Sequence, residues 1–409
     1  MHNKNVDLHS SSSYGRNDSI FIKYIVEDVL KKLNQRHPCE VNKHLLGIEK
    51  KYEEVKSLLK IGSNDVRGLG LWGMGGIGKT TLAKHLYSKL CSQFDHHCLL
   101  ENVSQESTRC GPKGVRNQLF SKLLELRPDA PNLETPIPMR RLACKKSLIV
   151  LDDVATLEQA ENLNIVNNCL GPGSRVIVTT RDKQVCSQFN ECAIYEVKGL
   201  NKDESLEVFC LEAFREKYPK IGYGDLSKRA IGYCGGNPLG LKVLGTNFRT
   251  KSKEVWESEL EKLKKIPNQR IHDVLKLSFD GLDCTQKDIF LDITCFFFLG
   301  KYVSRDLITT LSDACNFFAE SGIEVLSNKA LIVFRICNLI DMHDLLVEMG
   351  REIVKQESPK NPGSRSRLWD PVEICDALKC KKVRGWFQLL LYKNACVYLI
   401  MKYKQDKYV

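Results

Sequence analysis

The sequence has 409 residues, of which 43% are hydrophobic, so it is long enough for two or three domains with ordinary cores. Its net charge of +11 is concentrated in residues 377–409, which hold eight basic residues and one acidic residue, so charge alone gives no argument for nucleic-acid binding. The seventeen cysteines are scattered and the sequence shows no signal peptide, which favours a reducing compartment, cytoplasmic or nuclear. The longest apolar run, residues 289–300, is too short to span a membrane.

The first elements lead to a glycine-rich loop. Residues 1–18 are polar and predicted to be disordered, and an amphipathic helix follows until His37 and Pro38. A second helix is predicted over residues 49–60 and a short buried strand over residues 66–72. Residues 80–91, with leucines on one face, predict the helix after the loop.

The loop between that strand and that helix fits the phosphate-binding pattern G-x-x-x-x-G-K-[ST], from Gly73 to Thr80. Lys79 would supply a cation to the β and γ phosphates, and the Thr80 hydroxyl would be a ligand of Mg²⁺. An ordinary glycine-rich turn is the alternative, which the flanking strand and helix disfavour. The predicted nucleotide-binding residues are Gly73, Gly75, Gly76, Ile77, Gly78, Lys79, Thr80 and Thr81.

A second buried strand ends in two acids. A strand over residues 97–103 and a helix over residues 114–126 come first, and four apolar residues then lead into Asp152 and Asp153. Acids at the carboxyl edge of a parallel sheet suit Mg²⁺ binding by Asp152, directly or through water, and orientation or deprotonation of the attacking water by Asp153. An exposed Asp-Asp turn is the alternative reading of this pair on its own.

Another buried strand, residues 175–180, ends before Arg181, and residues 193–197 predict one more strand. An arginine at this edge is a candidate to sense or neutralise the γ-phosphate, although an ordinary surface arginine is the alternative. At least five strands alternate with helices, which predicts an α/β P-loop NTPase with a doubly wound parallel sheet.

The pattern changes after residue 201. Helices are predicted over residues 203–214, 223–234, 238–248 and 252–264, which form an all-α helical domain. Further helices and a hairpin, residues 331–335 with 338–340, predict a winged-helix domain, and a last helix covers residues 345–356.

Several motifs occur together in one order. They are the P-loop, the acidic strand 148–153, the stretch G-S-R-V-I-V-T-T-R from residue 173, G-N-P-L from residue 236, F-L-D-I-T-C-F-F from residue 290 and M-H-D from residue 342. With these motifs the chain resembles the NB-ARC region of plant intracellular immune receptors, of the class that carries an N-terminal TIR domain.

The resemblance implies a switch that is off with ADP and on with ATP, with weak ATP hydrolysis. It implies that Pro238 packs on the adenine, that His343 reaches the ADP β-phosphate and that Asp344 braces the closed arrangement. Without the resemblance, a histidine before a helix is more often a satisfied polar residue than a ligand. The implied ligands are ADP or ATP with Mg²⁺, and the implied partners are further copies of the chain or full-length immune receptors.

The resemblance also divides the chain. Residues 1–45 would be a disordered start and the last helix of a missing TIR domain, without its NAD-cleaving glutamate, and residues 46–200 the nucleotide-binding domain. Residues 201–265 and 266–378 would be the helical and winged-helix domains, and residues 379–409 an aberrant basic tail, so that the receptor would be truncated at both ends. The alternatives are a non-signalling or regulatory fragment, a true catalytic NTPase or motor, and a winged-helix nucleic-acid-binding ATPase, the last disfavoured by the few basic residues of 317–329.

Overall fold

The computed structural model describes residues 47–124, 140, 142–167, 169–189, 191–297, 303–313 and 317–379. The predicted first helix and linker, residues 19–45, and the tail 380–409 lie outside these ranges. None of the helices in the described ranges combines the length and the apolar character needed to cross a lipid bilayer.

Five parallel strands form the first unit. They are β1 (Arg67–Trp72), β2 (His96–Leu100), β3 (Ser147–Leu151), β4 (Arg175–Thr180) and β5 (Ala193–Glu196). Their order is β2-β3-β4-β1-β5, so β4 lies between the strand of the P-loop and the strand of the two acids. Helices α1 (Ile48–Leu59) and α2 (Lys79–Leu90) cover one face, and α3 (Val103–Leu123) with α4 (Leu157–Asn167) cover the other. The predicted parallel sheet is confirmed.

Strand β2 ends earlier than the sequence predicts. Asn102 takes a left-handed conformation with φ of 52°, and α3 begins at Val103, where the predicted strand was to end. The Val103 amide donates to the Asp152 carbonyl at 2.8 Å, so the chain turns at the level of the two acids. Helix α3 also begins earlier than the predicted helix. Its backbone is kinked at Gly111, and this kink interrupts the helical pattern in the sequence, so the first half of α3 is not predicted.

Arg175 of β4 is fully buried and fixes the segment between α1 and β1. Its guanidinium donates to the carbonyl oxygens of Leu59 and Asp65, both at 2.6 Å, and of Lys60 at 2.8 Å. A buried guanidinium is stable only when its donors are satisfied, and these carbonyls satisfy them. Helix α1 is therefore held to the sheet at its carboxyl end.

Four helices form the second unit around Trp256. They are α5 (Lys202–Phe214), α6 (Gly224–Cys234), α7 (Pro238–Phe248) and α8 (Lys253–Leu263). The Trp256 ring stacks on Phe248 with ring centroids 4.6 Å apart, and its indole N–H donates to the Phe248 carbonyl. Aromatic packing of this kind explains why the apolar faces of these helices converge.

The third unit is a winged helix. It contains α9 (Gln269–Asp280), α10 (Cys284–Asp292), β6 (Val303–Ser304), α11 (Arg305–Asp313), α12 (Ala319–Asn328), β7 (Val333–Phe334), β8 (Leu339–Asp341), α13 (Asp344–Glu357) and α14 (Pro371–Lys379). The strands form an antiparallel sheet in the order β6-β8-β7. Arg367 donates to Asp292 at 2.5 Å and so ties the segment before α14 to α10.

Candidate functional site

The P-loop lies between β1 and α2, as the sequence predicts. Gly78 has φ of 102° and directly precedes α2, and Gly76 has φ of 75°. A Cβ atom on Gly76 would lie 2.7 Å from the Leu239 Cβ, so this glycine is needed both for its conformation and for close packing on α7. The loop can therefore present its amides and the helix N-terminus to phosphate oxygens.

Lys79 is buried and points back along the loop. Its ammonium donates to the carbonyl oxygens of Gly73 at 2.8 Å and Met74 at 2.9 Å. Burial, and next the charge of Arg181, lower the pKa of Lys79 to about 7, against the opposing effect of Asp153 and Asp152. A phosphate group beside this amine would favour its protonated form, because opposite charges at short range raise the pKa of an amine.

The two acids lie at the carboxyl end of β3, beside the P-loop. Asp152 is 2% exposed, and its Oδ1 accepts from the Thr80 hydroxyl at 2.8 Å and from the Thr179 hydroxyl at 2.7 Å. Asp153 is half-buried, takes φ of 58°, and donates its amide to the Thr179 hydroxyl at 2.9 Å. A carboxylate and a threonine hydroxyl are the oxygen donors that Mg²⁺ prefers, so the residues fit this ion.

Arg181 lies over the P-loop and reaches the winged-helix unit. Its Nη1 donates to the Val274 carbonyl of α9 at 2.6 Å, and a Cβ on Gly75 would lie 2.8 Å from the same nitrogen. Burial lowers the pKa of this guanidinium, and Asp153 opposes that shift. The arginine therefore lies beside the P-loop and at the same time joins two units.

The G-N-P-L turn holds the helical unit against the loop. Asn237 is fully buried, caps α7, and donates its side-chain amide to the Gly75 carbonyl at 3.1 Å. The Leu239 amide donates to the Gly76 carbonyl at 3.2 Å, and the Pro238 ring lies 3.8 Å from where a Cβ on Gly78 would be. Pro238 thus lies beside the loop.

A cavity of about 440 Å³ opens beside Gly78, within the range of ordinary ligand sites. Its walls come from the sheet unit, from α1 and from the helical unit, and they are mostly apolar. The lining includes Ile48, Thr81, Val197, Leu211, Arg215 and Pro238.

His343 caps α13 and contacts the turn of the helical unit. Its Nδ1 accepts from the Leu345 amide at 3.2 Å, so the proton lies on Nε2, which donates to the Gly235 carbonyl at 3.1 Å. Burial lowers the pKa of His343, and the ring is accordingly neutral. Both ring nitrogens contact backbone atoms, next to the G-N-P-L turn rather than on the P-loop itself, and Asp344 is an exposed first residue of α13.

Comparison with known proteins agrees with this arrangement. The NB-ARC domain family matches residues 48–218, and the winged-helix domain of Roq1-like disease resistance proteins matches residues 283–358. Residues 48–218 are thus an NB-ARC domain.

Relatives and a solved structure extend the comparison. The disease resistance protein RUN1 of Vitis rotundifolia is 42% identical over 88% of this chain and 27% of its own length. The TMV resistance protein N of Nicotiana glutinosa is 35% identical over 89% of this chain and 32% of its own length, so the chain spans less than a third of either relative. The Walker-type ATPase of Pyrococcus abyssi shares the fold, with a TM-score of 0.50 at 14% identity over 76% of this chain and 97% of its own.

Two residues of this NB-ARC site were not singled out from the sequence. Thr179 bonds both acids, and its closeness to them follows from the strand order, because the ends of β4 and β3 are neighbours in the sheet. From the sequence Asn237 is only part of the G-N-P-L motif, and its buried position against Gly75 depends on how the helical unit packs on the P-loop.

Proposed function

We propose that this NB-ARC chain is an ADP- and ATP-binding switch of plant immunity, off with ADP, on with ATP and slow in hydrolysis. One observation carries the proposal: all three units meet at one loop. The sheet unit contributes the P-loop itself, Asn237 of the helical unit bonds Gly75, and a Cβ on the same glycine would lie 3.2 Å from the Val274 carbonyl oxygen of α9. A ligand in this place has contacts that depend on the relative position of the units, which is what a switch requires.

We assign the roles as follows. Lys79 would bind the β and γ phosphates, Thr80 and Asp152 would hold Mg²⁺, and Asp153 would orient the attacking water. Mg²⁺ would neutralise phosphate charge when bound. Pro238 and the apolar cavity walls would take the adenine, and Arg181 would respond to the γ-phosphate.

The unit boundaries 46–200, 201–265 and 266–378 are part of this proposal, and so is self-association or binding to full-length immune receptors. His343 is proposed to stabilise the ADP state from the winged-helix unit. Nucleic-acid binding has less support, because α12 carries Glu320 and Glu324 and no basic residue.

The test is the nucleotide content of the purified chain. Heat-released nucleotide is quantified by chromatography, and exchange is followed with a fluorescent ATP analogue. We expect nearly stoichiometric ADP after purification, slow exchange, and a larger assembly by light scattering after exchange to ATP. A folded protein that binds neither nucleotide at millimolar concentration would refute the proposal.

A further inference from the structure

Two cysteine thiols meet behind the strand that carries the P-loop. Cys186 lies in the short 3-10 helix Lys183–Gln188 after β4 and is 1% exposed. Cys192 directly precedes β5 and is half-buried. Strand β1 lies between β4 and β5, and both sulfurs approach it from the same face.

Glycines in β1 make the space that the sulfurs occupy. A Cβ on Gly70 would lie 2.2 Å from the Cys186 sulfur and 3.7 Å from the Cys192 sulfur. A Cβ on Gly68 would lie 3.2 Å from the Cys192 sulfur. Leu69 and Leu71 point to the opposite face, into the core under α1 and α2, so the alternation of glycine and leucine in β1 matches the thiols on one side.

The two thiols interact directly and are chemically unequal. The contact with Cys192, together with burial, raises the pKa of the Cys186 thiol. The same contact, with Cys186 as donor, lowers the pKa of the Cys192 thiol despite burial. The thiolate is the reactive form, so the more accessible Cys192 is the better nucleophile and Cys186 is placed to react with it.

We propose that Cys186 and Cys192 form an oxidation site, a dithiol that hydrogen peroxide converts into an intramolecular disulfide. The Cys192 thiolate attacks one peroxide oxygen, the O–O bond breaks, and sulfenic acid and one water form after proton transfer. The Cys186 sulfur then attacks the sulfenic sulfur, the S–O bond breaks, and the second water leaves with the proton of the Cys186 thiol. Two thiols are oxidised by two electrons and one peroxide is reduced.

The disulfide would join two points of the connection that leads from β4 to β5, the strands on either side of β1. Strand β5 continues to Val197, whose amide donates to the Trp72 carbonyl at 2.8 Å and which lines the nucleotide cavity. A covalent link at Cys192 would therefore fix the chain that leads into one wall of that cavity.

The sequence permits a direct mapping experiment on the full chain. Both cysteines lie in the tryptic peptide 184–198, and Glu191 between them allows a second cleavage. After brief hydrogen peroxide treatment and alkylation of free thiols, we expect this peptide to be about 2 Da lighter than the reduced form. Cleavage after Glu191 should leave the two halves joined until a reductant is added.

Two variants distinguish the roles. Cys192→Ser should slow oxidation of Cys186 by about tenfold or more, and Cys186→Ser should leave a Cys192 sulfenic acid that dimedone traps. Cys110→Ser, at an exposed cysteine far along α3, is the matched control and should leave the link intact. The proposal is overturned if the halves separate without reductant in the wild type, or if Cys186 oxidises at the wild-type rate in folded Cys192→Ser protein.

Discussion

The Thr179 hydroxyl donates to Asp152 at 2.7 Å and accepts from the Asp153 amide at 2.9 Å. A single side chain of β4 thereby fixes the position of the Asp152 carboxylate, which also accepts from Thr80, and the position of the Asp153 backbone. Because the hydroxyl has one proton and that proton goes to Asp152, the lone pairs of the same oxygen stay available for the Asp153 amide. The two acids are therefore coupled through Thr179.

The first prediction concerns the phosphate cation. Lys79→Ala should remove detectable ADP and ATP binding by calorimetry, because the charge opposite the β and γ phosphates is lost. The variant also loses the hydrogen bonds to the Gly73 and Met74 carbonyls, but the fold should stay intact. Lys89→Ala, an exposed lysine on the same helix, is the control and should bind as the wild type does. Stoichiometric ADP in purified Lys79→Ala protein would contradict the assignment.

The second prediction is a pH dependence of nucleotide binding. The pKa of Lys79 is about 7 in the free site, and a bound phosphate raises it. Binding above pH 7 must then take up a proton, so affinity should fall as the pH rises through 7 towards 9, by up to about tenfold per unit. Calorimetry at pH 8 in two buffers of different ionisation enthalpy should show uptake of most of one proton per nucleotide. Equal heats in both buffers would argue against it.

The third prediction divides the acids. Asp152→Asn should weaken binding that depends on Mg²⁺, and Thr179→Val should do the same to a lesser degree because it loosens Asp152. Asp153→Asn, chosen because asparagine tolerates the positive φ, should keep binding and slow hydrolysis. Titrations with Mg²⁺ or EDTA and single-turnover hydrolysis measure the two effects. Equal loss of nucleotide in Asp152→Asn and Asp153→Asn would show that the acids do not divide the work.

The fourth prediction concerns His343. His343→Ala removes one neutral hydrogen bond to Gly235, worth about 0.5–1.5 kcal/mol, so the bound ATP:ADP ratio should rise by about two- to tenfold. It also removes the cap of α13, and His343→Asn is the control that retains capping. Unchanged ADP affinity in folded His343→Ala protein would exclude this histidine from the switch.

The fifth prediction concerns Glu348 of α13, which contacts the Tyr233 hydroxyl of the helical unit. Burial raises the pKa of Glu348 to about 7. The charge of Asp344 also raises this pKa, whereas Tyr233, Arg351 and Lys355 lower it. The Glu348 Oε2 atom has no hydrogen-bond partner within the described residues. A carboxyl group with a raised pKa in the folded state binds more protons there than when unfolded. The stability of the domain contact should therefore fall as the pH rises from about 4.5 to 7 and level off above it.

His343 has the opposite sign, because its pKa is lowered by burial and its neutral form is lost as the pH falls. The measurement is thus the difference between wild type and Glu348→Gln in thermal unfolding at pH 5, 6, 7 and 8. Stability of the wild type relative to Glu348→Gln should decrease across this series. A constant difference would show that Glu348 does not titrate in the contact.

The sequence predicts the sheet and the phosphate end of the site well, because both depend on local patterns. Strand β4 and helix α7 match their predicted limits, residues 175–180 and 238–248. The P-loop and the two acids need only a strand, a turn and the rule that parallel strands end at one edge.

Contacts between units are not predictable in this way. Arg181 contacts a carbonyl of α9, and Trp72 donates to the Asn328 carbonyl at 2.8 Å, across more than 250 residues of sequence. These bonds use backbone acceptors, which leave no signature in the residue types. The Asp182–Lys329 ion pair at 3.1 Å likewise cannot be predicted from the sequence, because it depends on the packing of the winged helix on the sheet.

The buried Arg175 fixes one wall of the cavity beside Gly78. Because its guanidinium fixes the segment from Leu59 to Asp65, α1 and its cavity residue Ile48 form one body with the sheet. The opposite wall, with Leu211 and Arg215, belongs to a helical unit that follows a short connection after β5. The cavity should consequently open by movement of the helical unit alone. A spectroscopic probe placed on α1 should keep its distance to the P-loop, whereas the distance from a probe on α5 to the P-loop should change.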